Sequence, residues 1–480
     1  MTLVAISSIV AAAALVAPGI GAQTKPGASV VDPVDAHNSL AGAPAEMTQT
    51  CFWGVPAGPA DGLNVLGPET NVTYWFDRFQ LPAGASIQLR GEFPHARFMS
   101  LTSYGTVAGQ QGTALGGLSD FEIDPDRDSV NPFRPGEKRD TKQRSYTVTL
   151  SGQVDPGAGN RARNTFYVGQ AGRTEQTQTV EIILRVYRAD RGRGLAGTEH
   201  LPVPTVKLAD GTTLTGQEAC DAVKAESGVE KPDMSKIGVP TATYLQLLNL
   251  PGAKPTHPAL EQVVFRRSFN GQYSLMPYYL GTSEEGKIAN LPTDIRMGLY
   301  PTPANAYMAT HADRTFGPNP NGHNILVLHG KKPTHPTTFD GDKVNNSAGK
   351  QVSYWSLCNY GSSIARPAVG PVNTDCLFDE EIPVDRNGYY TIVVSLAEDK
   401  PANARPECGV AWMDWTRRGD NITGGHDRGI QLSIRQMLAA PSFAQGIDKV
   451  LTPGTEKAVM GDYYPVGTYT TKADFQKRGC

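Results

Sequence analysis

The stretch Ser100-Leu101-Thr102-Ser103-Tyr104-Gly105 recurs as Ser356-Leu357-Cys358-Asn359-Tyr360-Gly361, and the residues around both stretches recur in the same order. Upstream, Asn71, Asp77-Arg78, Ile87-x-Leu89-x-Gly91 and Pro94-His95 correspond to Asn305, Asp313-Arg314, Leu326-x-Leu328-x-Gly330 and Pro333-Thr334-His335. Downstream, Glu122-Ile123-x-x-Asp126-Arg127 corresponds to Glu381-Ile382-x-x-Asp385-Arg386. Tyr146-Thr147-Val148-Thr149-Leu150-Ser151 corresponds to Tyr390-Thr391-Ile392-Val393-Val394-Ser395, and Leu184-Arg185 to Ile434-Arg435. One domain therefore reads as occurring twice.

The repeated unit reads as β. Ser86-Ile87-Gln88-Leu89-Arg90 alternates polar and apolar residues, as a strand with one buried face does. The segments 97–101, 146–150 and 179–187 are similar, and long polar excursions such as 124–144 separate them. The chain holds 51 Gly and 36 Pro, an excess that fits many turns between short strands. The expected fold is mainly β: two tandem jelly-roll-like antiparallel β-sandwich domains joined by a partly helical connector. The first sandwich is placed at 51–205, the connector at 206–300, and the second sandwich with its tail at 301–480. Helices are expected at 216–226 and 241–248, with a short one at 443–451.

With 480 residues and a net charge of -3 from interspersed signs, the chain reads as folded and multidomain. That charge balance argues against nucleic acid as a partner. Leu3 to Ala17 is an unbroken run of apolar and small residues, followed by Pro18 and by the small residue Ala22 before Gln23. This reads as a signal peptide over residues 1–22, with 23–50 as a leader and a secreted or periplasmic destination. An uncleaved anchor is the competing reading, since about 20 apolar residues can span a bilayer. No other segment approaches that length. Six cysteines in an exported chain read as up to three disulfides. Cys358 with Cys376 is the favoured pair. Cys51 and Cys220 flank the first copy, and Cys408 and Cys480 could tie down the tail.

Tyr354-Trp355-Ser356-Leu357-Cys358-Asn359-Tyr360 resembles the aromatic-Trp-Ser-Leu-x-x-Tyr signature of bacterial domain-of-unknown-function families. Those families are built as paired jelly-roll-like β domains and are secreted proteins without an assigned activity. The resemblance covers both copies, about half of the chain. It implies the fold and no chemistry.

Candidate chemistry divides between two classes. A binding protein would hold a small-molecule or glycan-like ligand between the copies or at loops of the second, using Arg314, Tyr360, Trp412 and Trp415. A secreted hydrolase or lyase would instead gather an acid pair or a histidine site in the second copy. His311, Asp313, His335 and His426 are its candidate catalytic residues, with Asp379-Glu380-Glu381 and Asp120-Phe121-Glu122 as acidic clusters. Solvated or turn histidines are the bland alternative. His323 and His329, on one strand, would stand about 20 Å apart at ~3.3 Å per residue and cannot share an ion. No Gly-x-Ser-x-Gly elbow, HExxH, Cys/His zinc spacing or dinucleotide fingerprint is present. No metal and no cofactor is expected.

Overall fold

The structure is a computed structural model. It describes residues 50–54, 56, 68–106, 112, 114–157, 159–172, 178–198, 200–225, 262–267, 300–313, 321–360, 373–415, 429–452 and 454–480. The expected signal segment and the helix expected at 241–248 lie outside these residues.

Nine strands build the first sandwich: β1 (Val72–Leu81), β2 (Ser86–Glu92), β3 (Ala96–Tyr104), β4 (Ala114–Ser119), β5 (Ser145–Ser151), β6 (Thr165–Tyr167), β7 (Gln178–Ala189), β8 (Val203–Lys207) and β9 (Thr213–Thr215). One sheet runs β1-β7-β3-β4 and the other β6-β5-β2-β8-β9. Their inner faces meet in one core that includes Trp75, Leu101 and Leu184 from the first sheet and Leu89, Val148 and Val206 from the second. Helix α1 (Gly216–Val223) follows β9 and packs on β8 and β9. Its Cys220 is bonded to Cys51, so β8 and α1 carry this sandwich beyond residue 205.

The second sandwich takes β10 (Gln262–Val263), β11 (Arg266–Arg267), β12 (Asn305–Asp313), β13 (Ile325–Lys331), β14 (Tyr354–Tyr360), β15 (Asn373–Phe378), β16 (Tyr389–Ser395), β17 (Ala411–Asp414), β18 (Gly429–Met437) and β19 (Val466–Thr470). Its sheets run β11-β12-β18-β14-β15 and β10-β19-β13-β16-β17. Apart from the added edges, these are the strand orders of the first sandwich. The agreement extends to single positions. Gly91 lies opposite Tyr146 and Gly330 opposite Tyr390. A parallel edge strand follows in both, β6 beside β5 and β17 beside β16. Arg188 and Leu438, each just past the matched arginine, both adopt positive φ.

Two landmarks shift: Asn71 falls level with Ala304 rather than Asn305, and the Asp-Arg pair moves further. Tyr74 faces Arg185 and Tyr307 faces Arg435, which sets Asp77-Arg78 level with Thr310-His311 rather than with Asp313-Arg314. The Asp-Arg dipeptides are alike in sequence, but ladder pairing fixes a register three residues away. The helix expected at 443–451 is reduced to a 3-10 turn at Ile447–Lys449. All three anticipated disulfides are present: Cys51–Cys220, Cys358–Cys376 and Cys408–Cys480. No helix among the described residues is long and apolar enough to cross a membrane. The disulfides are consistent with an extracellular or periplasmic protein.

Candidate functional site

An antiparallel strand normally shows one face to water, yet β3 and β14 are buried along their whole length. The reason is a seam: the sheet β1-β7-β3-β4 lies against the sheet β12-β18-β14-β15. Alternate residues of each strand enter their own core, and the others meet across the seam. Val72, Phe98 and Tyr187 pack there with Tyr354, Phe378 and Met437.

Two arginines occupy matching positions in this seam. Arg185 on β7 donates from Nη2 to Tyr104 Oη (2.5 Å) and to the Tyr300 carbonyl (2.7 Å). Arg435 on β18 donates from Nη2 to Tyr360 Oη (2.7 Å) and from Nη1 to Glu69 Oε2 (2.6 Å). Glu69 comes from the first sandwich and also accepts the Tyr354 hydroxyl, so one carboxylate joins both units. Burial raises the Tyr104 phenol to about 12, which keeps it neutral.

A second buried cluster lies near the rim. Asp120 and Asp379 begin matching 3-10 turns, and each accepts a strand amide, from Met99 (2.6 Å) and Trp355 (2.9 Å) respectively. Only Asp379 meets a cation: Arg97 Nη1 lies 2.9 Å away, with Glu380 on Nη2. Arg97 Nε also donates to Thr338 Oγ1 at 2.8 Å. Lys332 Nζ donates to the carbonyls of Asp379 and Ile382, both at 2.6 Å.

The polar excursions of the two sandwiches meet here too. Gly136 and Arg139 amides donate to the carbonyls of Asn345 and Lys343, and the Asn345 amide to that of Glu137. Arg139 Nη2 pairs with Asp190 at 2.6 Å, and Arg188 stacks over Phe339 at 3.8 Å. Between these loops opens a cleft of about 280 Å³. Phe121, Phe133 and Pro135 line it from the first sandwich, and Pro336, Lys350 and Val352 from the second.

The expected site residues scatter. His335 is partly buried beside this cluster, its Nδ1 2.9 Å from the Pro336 carbonyl and 3.4 Å from Asp379 Oδ1. Burial lowers its pKa, so it packs as a neutral ring. Tyr360 is in the seam against Arg435. Trp415 is wholly buried in the second core, and that excludes it as a stacking platform. Trp412 sits on edge strand β17, donating to Ser395 Oγ at 2.9 Å with Lys400 over its ring, away from the cleft. The side chains of His311 and Asp313, and the whole of Arg314 and His426, lie outside the described residues. Glu380 is held by Arg97 and by the Thr338 and Phe339 amides, while Asp120 accepts the Met99 and Phe121 amides. Among the described residues, one group of potential ligands clusters tightly enough for a metal ion: Glu69, Cys358 and Cys376. Both of its sulfurs are consumed in a disulfide.

Sequence reading missed Glu69, Arg97, Arg139, Phe133 and Lys350. Arg185 and Arg435 were visible as a matched pair, but nothing in one dimension shows that they face a common seam.

No family model matches the chain, and no curated protein matches it. Among solved structures, an uncharacterised protein from Burkholderia cenocepacia aligns over 90% of this chain and 84% of its own, at 12% identity and a TM-score of 0.44. A structural-genomics target from Vibrio parahaemolyticus aligns over 84% of this chain and 90% of its own, at 11% identity and a TM-score of 0.35.

Proposed function

We propose that this is an exported two-domain β-sandwich protein that binds a small organic molecule in the cleft between its sandwiches. The observation that supports it is the cleft itself, about 280 Å³ and walled by both units. That volume is near the lower end of ligand pockets, roughly 300–1,000 Å³, which suits one or two rings rather than a polymer. The wall chemistry points the same way. Arg97 and Arg139 are already neutralised by acids, so they add rigidity rather than catalytic charge. Phe121, at 42% exposure, and Phe133 offer apolar faces, and Lys350 brings a cationic head to the same wall. A ring stacked on the phenylalanines with a polar substituent toward Lys350 fits this lining.

The test is a ligand-observed NMR screen of single-ring acids and mono- and disaccharides against the full chain. Hits should weaken at least tenfold in Phe133→Ala and in Lys350→Gln, a loss of about 1.4 kcal/mol. Hits that bind both variants as tightly as the parent, or a screen with none, would refute the cleft as the binding site.

A further inference from the structure

Arg185 and Arg435 share a strand position and two kinds of neighbour. Each donates from Nη2 to a tyrosine on the neighbouring strand, Tyr104 of β3 or Tyr360 of β14. Each also lies over a second ring, Tyr74 at 5.5 Å or Tyr307 at 5.7 Å. They differ at Nη1. Arg435 Nη1 holds the Glu69 carboxylate, whereas Arg185 Nη1 is buried with no hydrogen-bond partner.

The charge balance differs in the same way. The titratable groups that bear most on Arg185 are the phenols of Tyr104, Tyr187, Tyr74 and Tyr307. Glu181, on the same strand, is four residues away, roughly 13 Å at ~3.3 Å per residue, and engages Tyr300. A guanidinium does not deprotonate, and a buried cation without a counter-charge costs several kcal/mol. At Arg435 that cost is met by the Glu69 carboxylate, which the first sandwich supplies. Arg185 has phenols and carbonyls, which satisfy donors without cancelling charge. Tyr74, Phe76, Arg78 and Tyr307, which flank the arginine in the seam, all retain partial exposure.

We propose that Arg185 Nη1, with the Tyr74 ring beside it, forms a second binding site in the seam that takes the carboxylate of a small organic acid, the group Glu69 presents to Arg435. The site is separate from the cleft of Phe133 and Lys350 and does not depend on a ligand binding there.

Acetate is the probe, titrated by calorimetry into the full chain at constant ionic strength. One acetate should bind per chain, and Arg185→Met should weaken it at least tenfold. Glu69→Gln should raise the stoichiometry to two, because Arg435 then loses its internal carboxylate. Chloride should compete more weakly than acetate, since a halide cannot match a two-oxygen acceptor. Phe133→Ala should leave acetate binding unchanged, which separates this site from the cleft. Unaltered binding in Arg185→Met, no saturable acetate binding in the parent, or chloride binding tighter than acetate would each overturn the assignment. If Arg185→Met does not fold, a stoichiometry that stays at one in Glu69→Gln overturns it equally.

Discussion

Arg97 of the first sandwich lies 2.9 Å from Asp379 of the second, and the two side chains are 1% and 0% exposed. Asp379 also holds the Trp355 amide, so losing Arg97 would leave a buried carboxylate without its guanidinium partner. Arg97→Ala should therefore cost roughly 3–5 kcal/mol. Arg191 and Asp340 also pair across the two units at 2.7 Å, but both side chains are mostly in water. Arg191→Ala should cost at most about 1 kcal/mol. Urea unfolding of both variants checks the contrast, and equal losses would contradict it.

The disulfides should rank by the loop each closes. Cys51–Cys220 spans 169 residues and Cys358–Cys376 spans 18. On loop entropy alone, removing them should cost about 5 and about 3 kcal/mol. Paired Cys→Ala variants compared in guanidinium would show the order, and a larger loss for the short loop would point to packing around Cys358 instead.

Gly91 and Gly330 make the same close contact in the two sandwiches. A Cβ at Gly91 would stand 2.8 Å from Tyr146 Oη, and one at Gly330 2.9 Å from Tyr390 Oη. Both tyrosines are core residues with little room to retreat. Gly91→Ala and Gly330→Ala should each cost about 1–3 kcal/mol through overpacking. Thermal unfolding should show similar shifts for the two.

These matched pairs explain what could be read in one dimension. Gly91 with Tyr146, Asp120 with the Met99 amide and Leu184-Arg185 have counterparts with the same pairing in the second sandwich, although the intervening lengths differ. Asp77-Arg78 misled, because identity of two residues outweighed a register set by Tyr74 opposite Arg185. The seam was not legible for another reason. A strand buried on both faces and a strand buried on one differ only in a few polar positions, and here those positions are held by serine, threonine, tyrosine and arginine. Arg97 finds Asp379 across 282 residues, a distance over which local pattern carries no information.

Glu181 and Gln431 stand at the same position of β7 and β18, four residues before the matched arginines. Glu181 is 1% exposed, and burial raises its carboxyl from 4.5 to about 7, with Tyr300 and Arg78 pulling weakly the other way. A carboxyl raised on folding contributes fully below its unfolded value. Its contribution falls as pH rises from about 4.5 through about 7, where the folded chain must ionise a buried group. Glu181→Gln keeps the shape, matches the second sandwich and removes that ionisation. It should leave stability near pH 4 almost unchanged and raise it at pH 8 by roughly 2–4 kcal/mol. Urea midpoints measured for parent and variant from pH 4 to 8 should diverge steadily across that window. Parallel curves would mean that Glu181 ionises without penalty, and that its burial is relieved by a partner which glutamine cannot keep.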